Sequence, residues 1–138
     1  MPVLESALFT YLSADPGVSA LVGTRIYPVR LPEGTVLPAI AWQRISATRL
    51  YTHDSFEDTR AFVNARVQFS CWSNVPIEAI QVGEAVLLAL SGYNGDMAGV
   101  LIGQSSADLE LDDYQSDVKL YRRLVDFMIS YEDEGQVS

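Results

Sequence analysis

The sequence is poor in the residues that run most chemistry. Its 138 residues include one cysteine, Cys71, and one histidine, His53. A single thiol excludes an internal disulfide, and with one imidazole it falls short of a zinc ligand set. No apolar run reaches the ~18 residues needed to cross a bilayer. The opening Met1-Pro2-Val3-Leu4-Glu5 lacks a positive n-region, so no signal peptide is expected, and synthesis in a reducing cytoplasm is the simple reading. Basic residues are scarce as well: 9 Lys and Arg stand against 18 Asp and Glu, giving a formal charge of −9. Affinity for nucleic acid comes from Lys and Arg displacing counterions, so a DNA-gripping module is disfavoured.

What is present suits an ordinary globular chain. Apolar residues make up 49% of the sequence, and a chain of this size buries roughly 68–70% of its unfolded surface without a metal or disulfide. Residues 1–131 are expected to form one domain, and 132–138 a loose acidic tail.

Periodicity places the elements. Val3, Leu4, Ala7, Leu8, Tyr11 and Leu12 share one face of a helix over 3–14, with Phe9 in the polar stripe opposite. Asp15 caps a short helix that opens at Pro16 and ends at Gly23. Arg25 to Val29 reads as a short strand that Pro28 confines to an edge or a strand end. Strands follow over 39–47 and 62–73. In the second, Val63, Ala65, Val67, Phe69 and Cys71 alternate with polar neighbours. Asn74 and Pro76 open a helix to about Ser91 whose buried face should hold Ala79, Ile80, Val82, Gly83, Val86, Leu87, Ala89 and Leu90, while Ile77 and Leu88 fall on its polar arc. Tyr93 to Asp96 reads as a turn. Strand-like 99–111 then meets an acidic turn at Asp112-Asp113-Tyr114, which feeds a long last strand from Leu120 to Tyr131. The fold class is α+β: an antiparallel sheet of about four to five strands with two main α-helices packed on one face.

No constellation for catalysis appears. His53 beside Asp54 has no convergent partners, and Cys71 on the apolar side of a strand behaves as a small hydrophobe. Asp108, Glu110, Asp112, Asp113 and Asp117 do not match the spacing of a calcium loop. The expectation is a non-enzyme with no catalytic, cofactor-binding or metal-ligating residue.

Apolar residues on wet faces are the stronger signal. Phe9, Ile77 and Leu88 project from polar helix faces, and Leu124 and Met128 interrupt the polar side of the last strand. Together they point to contacts with another subunit. Arg49, Tyr51, His53, Phe56 and Arg60, in the stretch 48–60, suit an arm that reaches a neighbour.

Leu4-Glu5-Ser6-Ala7-Leu8, Leu21-Val22-Gly23-Thr24-Arg25-Ile26-Tyr27-Pro28 and Leu37-Pro38-Ala39-Ile40 resemble the tail completion (tail terminator) proteins of long-tailed bacteriophages and gene transfer agents. The likeness continues through Arg44-Ile45-Ser46, Tyr51-Thr52-His53-Asp54, Arg66-Val67-Gln68-Phe69-Ser70-Cys71-Trp72, Leu90-Ser91-Gly92-Tyr93-Asn94-Gly95, Tyr121-Arg122-Arg123 and Asp126-Phe127. Ser55 follows the His-Asp pair where that family tends to carry glycine. The resemblance implies an α+β subunit, without a cofactor, that assembles into a six-membered ring. The ring would cap the tail tube, stop its polymerisation and offer the surface for head–tail joining. It also implies partners: other copies of the chain, the tail tube protein and head-completion or neck proteins. DNA would pass the ring without sequence-specific binding, and no membrane is involved. The location implied is the head-proximal end of the virion tail, after assembly in the host cytoplasm. A head-completion or neck adaptor is the near alternative, and an acidic mimic of DNA is a rival of another class.

Overall fold

A computed structural model describes residues 3–50 and 61–133. In chain order the elements are α1 (Leu4–Ala14), α2 (Pro16–Val22), β1 (Ile26–Pro28), β2 (Ala39–Leu50), β3 (Ala61–Ser73), α3 (Pro76–Leu90), β4 (Gly95–Met97), β5 (Val100–Gln115) and β6 (Leu120–Asp133). The strands form a single sheet in the order β1-β2-β3-β6-β5-β4.

The α+β class holds, but the sheet differs from the expected four to five antiparallel strands. Among the described residues it has six strands and is mixed, because β1 runs parallel to β2 from Ile26↔Ile40 to Pro28↔Trp42. The chain leaves β1 through residues 29–38 and re-enters alongside it, so the two strands point the same way. A third helix, the short α2, joins the two main ones.

Local chemistry accounts for the helix ends. Asp15 accepts a hydrogen bond from the Val18 N–H at 3.0 Å, and Pro16 occupies the first turn of α2, satisfying one orphan donor and needing none of its own. Gly23 closes the helix at φ 60°. At α3 the N-cap is Val75, which has no side-chain cap; just before it the Ser73 hydroxyl accepts from the Val75 N–H at 3.1 Å and donates to Glu78 at 2.6 Å, tying the entry of the helix to its first turn.

The core lies between the helices and one face of the sheet. β3 contributes Val63, Ala65, Val67, Phe69 and Cys71, the alternation legible in the sequence, and β6 adds Val125, Phe127, Ile129 and Tyr131. Leu4, Leu8 and Leu12 of α1, Val18 and Val22 of α2, and Val82, Val86 and Leu90 of α3 close over them. Val3, expected on the apolar face of α1, is exposed at its start.

The acidic turn expected at Asp112–Tyr114 is strand instead. β5 runs on to Gln115, and the chain turns between Ser116 and Lys119. Register explains the difference: Asp112 stands opposite Arg123 and Asp113 opposite Arg122, so each acid that suggested a turn has a cross-strand cation.

Val29, just past β1, is held at φ 68° while its N–H donates to the Trp42 carbonyl at 2.7 Å. A β-branched residue in this left-handed region is strained by about 1–2 kcal/mol. Val29→Asn, which tolerates that conformation, should raise the unfolding free energy by about 1 kcal/mol, measured by urea denaturation. An unchanged midpoint would mean that the strain is not borne there.

Candidate assembly surfaces

Two surfaces outside the core carry distinctive chemistry. The first is helical. Ile77, Gln81, Glu84 and Leu88 recur at one face of α3, all exposed, and the two apolar members are 56% and 84% exposed. Phe9 on α1 is 39% exposed. Single exposed hydrophobes are common, but two large ones aligned on one helix face, with a third on another helix, are the feature that subunit contacts require.

The second is the sheet face turned away from the helices. Arg66 grips Asp126, with Nη2 at 2.7 Å and Nε at 3.2 Å from Oδ2, and lies 3.9 Å from Asp108. The Asp126 side chain is 1% exposed. Arg122 lies 5.3 Å from the centre of the Trp72 ring and donates from Nε to Asp113 at 3.0 Å. Hydrogen bonding from Arg122, then its charge, holds the Asp113 carboxyl below the usual range against the pull of burial. The stability this gives is present above the ordinary carboxylate pKa and lost as pH falls through the lowered one. In the sequence Asp126 enters only through the Asp126-Phe127 motif and not as a candidate contact residue; a lone acid between Val125 and Phe127 is its signal.

Leu124 belongs to this face and is only 6% exposed in the single subunit. It stands opposite Ser70 and Leu111, between the row Trp72–Arg122–Asp113 and the row Gln68–Asp126–Leu109. The long side chains of those rows cover it, so it is not among the exposed apolar residues. Met128 is half-buried, opposite Arg66 and Ser106.

A third group of arginine contacts ties α3 to the sheet. Arg123 binds Asp112 through Nη2 at 3.0 Å and reaches Glu84 at 3.3 Å and Glu110 at 3.5 Å. Its aliphatic stem passes under Gly83, where an added Cβ would stand 2.2 Å from the Arg123 Cγ. Glycine inside a helix normally costs about 1 kcal/mol against alanine; here the stem leaves no room for a methyl group. Gly83→Ala should therefore lower the unfolding free energy by about 1–3 kcal/mol despite alanine's better propensity. Adding Arg123→Ala should remove the clash. A stabilising Gly83→Ala would contradict the packing.

Arg49 is exposed at the end of β2. Tyr51, His53, Phe56 and Arg60 lie outside the described residues. Cys71 is buried, and desolvation pushes its thiol up to about 12, so it does not supply a thiolate near neutral pH. Among the described residues no group of three or more His, Cys, Asp or Glu side chains could hold a metal ion.

No curated protein matches the chain. Among solved structures it is similar to a chain from the virion of a native gene transfer agent particle, with a TM-score of 0.66 at 18% identity, over 94% of this chain and 95% of that one. At that identity the likeness speaks for the fold. Residues 6–132 match the family described as Tail completion protein gp17, and the chain therefore belongs to the tail completion proteins that its motifs resemble.

Proposed function

We propose that this phage tail structural protein closes into a homo-oligomeric ring, a hexamer, that caps the tail tube at the head-proximal end of the virion. The ring ends tube polymerisation and presents the surface to which head-completion proteins attach. The family match over residues 6–132 carries the reading. Exposure of Ile77, Leu88 and Phe9 supports it, because a subunit that leaves aligned apolar side chains in water gains by covering them. A closed ring joins one patch on each copy to a different patch on the next, and the helical face and the sheet supply unlike patches. The acidic balance of the chain suits a channel that DNA passes without sticking.

In this reading Phe9, Ile77 and Leu88 meet neighbouring copies or tube protein. Arg49 and the stretch containing Tyr51, His53, Phe56 and Arg60 form the docking arm, and Met128 lies under a covered part of the sheet. Assembly takes place in the host cytoplasm, and the chain performs no reaction and needs no cofactor. Deleting the gene tests the role. Loss of a terminator gives tails of uncontrolled length. Tails of normal length beside unjoined heads would mark a neck adaptor instead and overturn the capping role.

A further inference from the structure

The two outer long strands, β2 and β5, have flanks that the sheet leaves open. β1 covers β2 only from Ile40 to Trp42, and β4 covers β5 only from Val100 to Ile102. The Val29 N–H on the Trp42 carbonyl and the Gly92 N–H on the Ser105 carbonyl, at 2.7 and 2.8 Å, extend that cover slightly. Beyond them, among the described residues, no strand pairs with the outer side of β2 over 43–50 or of β5 over 106–115. Such flanks present backbone donors and acceptors in a row.

We infer that the open flank of β2 in one copy pairs with the open flank of β5 in the next, so that the seam between subunits continues the sheet. This deepens the ring reading and rests on it.

Charge selects the pairing. β2 carries Arg44 and Arg49 and no acid, whereas β5 carries Asp108, Glu110, Asp112 and Asp113 and no base. Joining two β5 flanks sets carboxylates against carboxylates, and joining two β2 flanks sets arginines against arginines; only the unlike pair avoids both repulsions. Several of these groups already have partners in their own subunit, including Asp113 with Arg122 and Arg44 with Glu5. Charge therefore chooses the partner more than it sets the strength.

Apolar exposure supports the same seam. Leu109, Leu111 and Tyr114 on β5 and Ile45 on β2 are exposed along the open lengths. A flank kept only to repel other chains needs none of them.

The shielding strands also fix the geometry. β2, β3, β6 and β5 are antiparallel in succession, so β1 and β4, each at the start of its partner strand, guard opposite ends of the sheet. The open lengths meet only if neighbouring copies step along the strand direction. Closed arrays of tilted strands require such a stagger. Two unlike flanks make the contact heterologous, the kind that closes into rings.

Two charge-reversed variants of the full chain test the seam by native mass measurement. One carries Asp108→Lys with Glu110→Lys, the other Thr48→Glu with Arg49→Glu. Each alone should assemble at least about tenfold more weakly than the unmodified chain. Mixed in equal amounts they should assemble again, as alternating rings of even copy number. Assembly of either variant at normal strength, or a mixture that stays dissociated while both variants keep a folded circular dichroism spectrum, would overturn the seam. Hydrogen exchange on the unmodified chain tests it without substitutions: amides on the outer sides of 43–50 and 106–115 should slow on assembly. A ring whose amides there exchange as in the monomer refutes the seam and leaves the ring. A chain that never associates with itself or with tube protein refutes both.

Discussion

Phe127→Ala should lower the unfolding free energy by about 3–5 kcal/mol, and Phe69→Ala by a similar amount. Both side chains are fully buried at the centre of the sheet's helical face, on paired strands. Their rings meet edge to face, 6.0 Å apart at 83°, a geometry worth about 0.5–1.5 kcal/mol beyond the area buried. Domains of this size have only about 5–15 kcal/mol to lose. Either substitution should therefore cut the melting temperature by on the order of 10–20 °C. In a double-mutant cycle the combined loss should fall short of the sum by the ring–ring term. Losses below about 1 kcal/mol would mean that the sheet and helices are not packed as described.

The opposite pattern is expected on the outer face of α3. Ile77 lies in the first turn and Leu88 in the last, and both side chains stand in water in the single subunit. Ile77→Glu and Leu88→Lys each place a charge where the helix dipole favours it. The double variant should thus keep the stability of the unmodified chain to within about 0.5 kcal/mol. If these residues are covered on assembly, the same variant should weaken association with other copies or with tube protein by at least about 2 kcal/mol, roughly thirtyfold. Denaturation and sedimentation on one preparation separate the two effects. Unchanged association would remove both residues from the contact surface. A large loss of stability would show that they already pack within the subunit.

Much of this architecture is legible in the sequence where one physical rule dominates. β3 borders a dry face and a wetter one, so its period-two pattern is clean. α1 and α3 each bury a continuous stripe, and Asp15, Pro16 and Gly23 announce the ends of α2. The sequence is misleading where a distant partner changes the meaning of a residue. Asp112 and Asp113 read as a turn until Arg122 and Arg123 stand opposite them. Leu124 reads as an uncovered side chain until the rows on either side of it are known to be long ones.

Short elements escape for another reason. β4 has three residues, joined to β5 through Ala98 and Gly99, both at positive φ. That conformation suits a two-residue hairpin, but alanine does not announce it. The parallel pairing of β1 depends on where residues 29–38 carry the chain, which no local pattern encodes. Of the candidate contact residues, Phe9, Ile77 and Leu88 were readable because a helix face is periodic. The open flanks of β2 and β5 were not, since strand order in the sheet is a property of the whole chain.

Native mass measurement of the purified chain, alone and with tail tube protein across a range of concentrations, addresses the ring most directly. The expected result is a single closed species of about six copies, formed by the chain or induced on the end of the tube. A chain that stays monomeric at every concentration and leaves the tube protein untouched would contradict it.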